Sequence, residues 1–140
     1  MKIGLLAAAV CAALVLALPA AAAAPNYILV SGRGLAHPVL LANWRENLKL
    51  MLAVANAPRA RGPVTRLRAR PRFDLAEFWA WGMRPRPTRP ADASQHGSFY
   101  PSHASKPALI VLQVQGIVVP RLAPPSVLRI LGRHGVPTRV

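Results

Sequence analysis

Residues 27–57 read YILVSGRGLAHPVLLANWRENLKLMLAVANA and carry the clearest secondary-structure signals in the chain. Two apolar runs flank the glycine-rich turn SGRG within residues 27–41, which predicts two strands joined as a hairpin. Asn43 then suits the N-cap of a helix, and Glu46 stands at the third helical position of a capping box. The face expected to be buried by this helix has helical spacing and consists of Trp44, Leu48, Met51, Leu52 and Ala55.

The C-terminal part of the chain predicts a similar arrangement of strands followed by a helix. Residues 97–102, GSFYPS, indicate a short strand, and residues 106–122, KPALIVLQVQGIVVPRL, indicate a pair of strands that turns near Gln115 and Gly116. Residues 124–135, PPSVLRILGRHG, predict a helix that ends at Gly135 and has Val127, Ile130, Leu131 and His134 on one face. Hairpins rather than helical crossovers connect these strands, so the fold class is α+β: one small domain with a mixed or antiparallel sheet of short strands and two helices on one face.

Residues 73–81, FDLAEFWAW, are compatible with either a strand or a helix. As a strand, the segment places Phe73, Leu75, Trp79 and Trp81 on one face, interrupted by Glu77. The aromatic density and short length favour the strand, and the helix stays open as the alternative.

The first 24 residues, MKIGLLAAAVCAALVLALPAAAAA, have the layout of a bacterial Sec-type signal peptide: one lysine, an apolar core and a small-residue cleavage zone. We expect cleavage between Ala20 and Pro25, an exported protein, and a mature domain spanning residues 25–140. The alternative is an uncleaved membrane anchor. Cys11 is the chain's only cysteine, so the mature domain is expected to be cysteine-free and to depend on packing alone.

The chain is strongly basic, with 18 Lys and Arg residues against four Asp and Glu residues and a net charge of +14. Two proline- and arginine-rich segments, residues 58–72 and 82–97, are predicted to be loops. We expect an anion-binding surface on them, formed by Arg66, Arg68, Arg70, Arg84, Arg86 and Arg89. Because export makes nucleic acid an unexpected partner, the expected partner is an anionic envelope polymer, a lipid headgroup or a protein. The alternative is that the arginine excess only reflects a GC-rich genome.

Two tryptophans lie near these arginines in sequence. Trp79 and Trp81 could stack on a ligand beside the arginines, or they could belong to the core.

The sequence contains no recognisable catalytic motif, and we therefore predict a non-enzymatic binding module without cofactor or metal. Gly32 and Gly34 lack the rest of a phosphate-binding fingerprint. Asp74 and Glu77 are the only close carboxylates, and a strand would turn them to opposite faces. Two alternatives stay open: a secreted metal-dependent enzyme with a site near His96 and His103, and a membrane-tethered structural domain without a ligand.

Overall fold

The computed structural model describes residues 24–62, 64–79, 86–114 and 117–140. The predicted signal peptide lies outside these residues, apart from Ala24. The elements, in chain order, are β1 Tyr27–Ser31, β2 Val39–Leu41, α1 Trp44–Ala55, β3 Phe73–Phe78, β4 Gln95–Tyr100, β5 Leu109–Val111, β6 Gln113–Val114, β7 Ile117–Val118, β8 Arg121–Leu122 and α2 Pro125–Arg133. Among the described residues, no helix has the length and apolarity needed to cross a bilayer.

Six strands form one antiparallel sheet in the order β2-β1-β3-β4-β5-β8. β6 and β7 form a separate antiparallel ribbon. Every pair of neighbouring strands in the sheet is antiparallel, and α1 connects β2 to β3 across β1. The predicted α+β architecture, with a single sheet and two helices, is therefore confirmed.

Residues 73–78, in the segment for which the sequence allowed either a strand or a helix, form a strand, β3. It lies in the middle of the sheet and pairs with β1 on one side and β4 on the other. Phe73 and Leu75 point to the same side of the sheet as Ile28 and Val30, and all four belong to one buried cluster. The neighbours on both sides supply partners for the backbone N–H and C=O groups of this central strand. Trp81 lies outside the described residues.

Both helices pack on the same face of the sheet and form one hydrophobic core with it. The two helices also contact each other. Within the sheet, the rings of Phe73 and Phe99 stack with their centroids 6.5 Å apart. Of the predicted face of α2, Val127, Ile130 and Leu131 are buried in the core, and His134 is half-buried at the end of the helix. Gly135 follows with a left-handed φ of 83°.

The buried face of α1 differs from the predicted one. Its buried residues are Asn47, Leu50, Met51 and Val54, whereas Trp44 and Leu52 are each 52% exposed. The prediction that Trp44 is a core residue was wrong, and Leu48 is only half-buried.

The buried hydrogen bonds of the Asn47 side chain account for the orientation of α1. The side-chain amide of Asn47 donates to the carbonyl oxygens of Pro25 at 3.0 Å and of Leu41 at 3.3 Å. Leucines occupy several sides of α1, so its apolar pattern allowed more than one buried face. Asn47 could satisfy these buried carbonyls only if the helix turned it inward.

The N-cap of α1 is the predicted one, but Glu46 has a different partner. The Asn43 side chain accepts hydrogen bonds from the backbone N–H groups of Arg45 and Glu46. The carboxylate of Glu46 forms an ion pair with the Arg133 guanidinium at 2.6 Å, and its second oxygen lies 2.9 Å from His134 Nε2. The His134 hydrogen bond lowers the pKa of Glu46, although partial burial opposes this. Glu46 thus joins the start of α1 to the end of α2.

Both predicted loops contain regular structure. Val64–Ala69 form a 3₁₀ segment inside residues 58–72, closed by a hydrogen bond from Arg70 N to Leu67 O at 3.0 Å. In the second loop, Pro90–Asp92 form a 3₁₀ turn, and β4 begins at Gln95 because Gln95 pairs with Glu77. The sequence did not predict these 3₁₀ segments, because they are too short to produce a recognisable apolar periodicity. The high proline and arginine content therefore indicated loops.

The predicted strand pair after residue 106 is interrupted at Leu112. Leu112 is buried where it crosses Gly97 of β4: a Cβ atom on Gly97 would lie 2.6 Å from Leu112 Cδ2 and would also clash with the backbone oxygen of Val111. The close approach requires glycine at position 97, and Leu112 separates β5 from β6 at the same point. The turn predicted near Gln115 and Gly116 lies outside the described residues, and β6 and β7 on either side of it pair with each other.

We expect two leucines of α1 to respond differently to truncation. Leu50 is 1% exposed, so Leu50→Ala should lower the free energy of unfolding by about 2–5 kcal/mol. Leu52 lies on the opposite side of the helix and is 52% exposed, so Leu52→Ala should change the free energy of unfolding by less than about 0.5 kcal/mol. Chemical denaturation of both variants measures the difference, and equal losses would contradict the orientation of α1.

Candidate functional site

A cavity of about 740 Å³ lies at the β8 end of the sheet. Three parts of the chain surround it: the segment that follows α1, the 3₁₀ segment, and the strands β5 and β8 with their flanking residues. We call this cavity the arginine groove. Its lining residues are Pro58, Arg59, Ala60, Arg61, Gly62, Arg66, Leu67, Arg70, Lys106, Pro107, Leu109, Pro120 and Leu122.

One wall of the arginine groove is chain that runs beside the sheet edge. Leu122 N donates to Pro58 O at 2.9 Å, and Ala60 N donates to Pro120 O at 2.9 Å. The Arg121 guanidinium donates to Ala57 O at 2.7 Å. These bonds occupy the exposed edge of β8 and hold the arginine-bearing segment in place.

The floor of the groove is apolar. Register pairs Tyr100 with Leu109 and Leu109 with Leu122, which forms a row across three strands. This row lies on the face opposite the helices, because the next residue, Ile110, belongs to the core beneath them. Leu67 of the 3₁₀ segment adds a half-buried side chain to the same lining.

The charged side chains of the lining all have the same sign. They are Arg59, Arg61, Arg66, Arg70 and Lys106. Arginine remains protonated under all ordinary conditions, so the positive charge of the groove is permanent. The groove therefore combines an apolar floor with a concentrated positive field.

Arg70 is the most constrained of these cations. Its guanidinium donates to the carbonyl oxygens of Pro101 at 2.9 Å and Pro107 at 2.7 Å. The guanidinium carbon lies 5.9 Å from the centroid of the Tyr100 ring. Its buried Nε has no hydrogen-bond partner in the protein, and burial lowers the pKa of Arg70 from its usual value. No carboxylate of the lining compensates this cost.

All four acidic residues of the chain lie elsewhere. Asp74 pairs with Arg72 at 3.3 Å, and Asp92 pairs with Arg89 at 3.0 Å. Glu46 pairs with α2, and Glu77 is buried in the core. The five cations of the groove are therefore brought together without an acidic side chain of this chain among the lining residues.

The structure separates the predicted anion-binding arginines. Arg66 and Arg70 line the groove, whereas Arg68 is exposed on the same 3₁₀ segment and is not part of the lining. Both ends of the Arg89 guanidinium fork bond to Asp92. Arg86 is exposed outside the groove lining, and Arg84 lies outside the described residues.

Sequence reasoning missed three cations of the groove: Arg59, Arg61 and Lys106. The two arginines stand in the basic segment that it had recognised, residues 58–72, and could have been included on that ground. Lys106 is distant in sequence, and only the fold brings it to the lining.

Trp79, predicted as an aromatic contact for the ligand, packs against the hydrophobic core instead. It is half-buried against the core beneath the helices, and its indole N–H donates to Glu77 Oε2 at 3.2 Å. This contact supports the alternative in which Trp79 is a core residue. Asp74 and Glu77 alternate across β3 as a strand requires: Asp74 is half-exposed, and Glu77 is completely buried.

Glu77 has a strongly perturbed carboxyl group. Burial raises its pKa to about 7, and the Trp79 hydrogen bond only partly opposes that rise. Its Oε1 has no hydrogen-bond partner. Glu77 does not line the groove, so we assign it a structural effect on the pH dependence of folding.

The two histidines of the alternative metal site have separate surroundings. His96 is exposed on β4 opposite Ala76. His103 lies in a turn closed by hydrogen bonds with Lys106, and its Nδ1 is 3.2 Å from Val140 O. Within the described parts of the chain, no three His, Cys, Asp or Glu side chains group as metal ligands.

The chain matches no protein-family model, no curated protein and no solved structure. The function is therefore inferred from the residues of the groove.

We predict that Glu77 makes the protein less stable as the pH rises from about 4.5 to about 7. In this range the unfolded carboxyl is ionised while the folded one retains its proton, so deprotonation favours unfolding. The loss should approach roughly 3 kcal/mol and level off above pH 7. Glu77→Gln removes this titration and leaves every other titratable group unchanged. The free energy of unfolding of the variant, relative to that of the wild type, should therefore increase as the pH rises across that interval. Denaturation at pH 4.5, 6 and 8 tests this, and a constant difference between the two proteins would contradict it.

Proposed function

We propose that the mature chain is an exported binding module that holds an anionic ligand in the arginine groove. The ligand presents phosphate or carboxylate groups, as envelope polymers, lipid headgroups and acidic proteins do. One observation carries the proposal: five cations face a cavity of about 740 Å³ whose lining contains no acidic residue.

Like charges gathered in one place repel each other, and an anion placed among them removes that repulsion. Guanidinium groups are particularly suited to this role, because their planar forks match the two oxygens of a carboxylate or phosphate. The cavity also falls within the size range of small-molecule sites, about 300–1,000 Å³. Size and charge together favour a specific site over a diffuse basic surface.

The lining also favours binding over catalysis. Its residues are proline, alanine, glycine, leucine, arginine and lysine. Among the lining residues that the structure describes, none supplies a hydroxyl or thiol nucleophile, an imidazole or a carboxylate, which are the usual groups of hydrolytic and acid–base catalysis.

The competing explanation is that arginine content alone attracts anions, wherever the arginines lie. Arg66 and Arg68 distinguish the two explanations. Both are exposed on one 3₁₀ segment and differ by two positions, yet only Arg66 lines the groove. A groove requires Arg66 specifically, whereas simple attraction by net charge treats the two arginines alike.

We expect the triple variant Arg59→Gln, Arg61→Gln, Arg66→Gln to bind tripolyphosphate at least about tenfold more weakly than the wild type. The control carries the same loss of charge at exposed positions outside the groove: Arg33→Gln, Arg129→Gln, Arg139→Gln. Calorimetric titration at about 0.15 M salt is suitable, because screening then limits the influence of charges farther than about 8 Å. Affinity should fall further with added salt.

The single variants refine this test. Arg66→Gln should weaken tripolyphosphate binding more than Arg68→Gln, with both thermal unfolding midpoints nearly unchanged, because exposed side chains contribute little to folding. Equal weakening by the two triple variants, or by the two single variants, would assign the binding to net charge and refute the groove as a site.

Export has its own test. The apolar core of residues 1–24 meets small residues before Pro25, so the protein recovered from the envelope or medium should have been cleaved between Ala20 and Pro25. Intact-mass measurement decides this. A mass that retains Met1 to Ala20 would instead support the uncleaved anchor.

A further inference from the structure

Anion binding explains the cations of the arginine groove but leaves its floor without a role. Leu67 and Leu122 are half-buried, and with Leu109 they give the lining three leucines. Pro58, Pro107 and Pro120 add further apolar surface. A fully hydrated polyanion would contact the cations and leave this apolar surface in water.

The exposed arginines and two of the three leucines come from different layers of the site. Arg59 and Arg61 are exposed on the segment beside the edge of β8, and Arg66 is exposed on the 3₁₀ segment, which also carries Leu67. Leu109 and Leu122 are paired neighbours on the sheet itself. A ligand that entered between these layers would meet positive charge at the mouth and hydrocarbon beneath.

We infer that the arginine groove binds amphiphilic anions, molecules with a carboxylate or phosphate head and an alkyl or acyl chain, one molecule at a time. This inference rests on the proposed anion-binding function and specifies the ligand class. The guanidinium groups hold the head, and the chain covers the floor formed by Leu67, Leu109 and Leu122. Charge complementarity selects the head, and removal of apolar surface from water selects the chain.

The two contributions predict different dependences on the ligand. A longer alkyl chain should tighten binding by up to about fourfold per methylene group while the chain still contacts the floor, because burying one methylene contributes about that factor. A hydrophilic anion of the same charge gains nothing from the floor.

A series of straight-chain carboxylates tests the inference: acetate, hexanoate, octanoate and decanoate, each titrated into the mature protein below its micellar concentration. Affinity should rise along the series. Decyl maltoside supplies the same chain without the charge and should bind at least about tenfold more weakly than decanoate, because it has no anionic head for the arginines.

Two variants separate the floor from the cations. The double variant Leu67→Ala, Leu122→Ala should lose most of the gain along the carboxylate series and keep the affinity of the wild type for tripolyphosphate. That retained affinity also shows that the variant is folded. Leu52→Ala is the matched control, because Leu52 is an exposed leucine on α1 outside the groove lining, and it should preserve the whole series.

Several results would overturn the inference. Equal affinity for acetate and decanoate, with tripolyphosphate binding still dependent on Arg66, would refute the amphiphile and leave the proposed function intact. If Arg66→Gln changes the affinity for neither tripolyphosphate nor the carboxylates, both the amphiphile inference and the proposed function are refuted. Equal binding of decyl maltoside and decanoate would mean an uncharged apolar site, and binding only to phosphatidylglycerol vesicles would mean a membrane surface rather than single molecules. If the double variant does not fold, the wild-type series decides alone.

Discussion

The burial of one sheet face beneath α1 and α2 is the constraint on which the other features depend. Ile28, Val30, Leu75 and Ile110 face the helices and are almost fully removed from water. Both described helices lie on that side of the sheet. Near β1 and β3 a small second cluster of Leu29, Ala76 and Phe78 forms. At the β5–β8 end the basic segment lies over Leu109 and Leu122, and the incomplete cover there leaves the arginine groove.

Charge placement follows from how few acidic residues the chain contains. With four acidic side chains for 18 basic ones, most cations cannot be paired internally. Three of the four acids form ion pairs with neighbouring or helix-terminal bases, and the fourth is buried beside Trp79. None lies in the groove lining. The field of the groove is therefore a consequence of both composition and folding, since five cations converge on one concave surface where no carboxylate offsets them.

Burial shifts the pKa values of Glu77 and Arg70 in opposite directions, upward for the carboxyl group and downward for the guanidinium. Glu77 loses water in the core and keeps only the indole hydrogen bond, so its neutral form is favoured. Arg70 also loses water, yet it stays charged and transfers its hydrogen bonds to the carbonyl oxygens of Pro101 and Pro107. A carboxyl can escape the cost of burial by taking up a proton near neutral pH. A guanidinium has no comparable escape, so its charge remains available to a ligand.

Local sequence determined those features that depend on near neighbours: the hairpin connections, the Asn43 cap, the core-facing residues of α2 and its end at Gly135. It also identified residues 58–72 as the basic segment. The face of α1 was not determined in this way, because leucines surround the helix and its orientation depends on carbonyl oxygens near residues 25 and 41. Lys106 and the leucines of the floor join the groove only through sheet register, and Arg66 separates from Arg68 only through the way their segment lies against β5 and β8. Apolar periodicity records which residues avoid water. Which of them meet, and which cations converge, depends on contacts between residues far apart in the chain, and those contacts exist only once the sheet has formed.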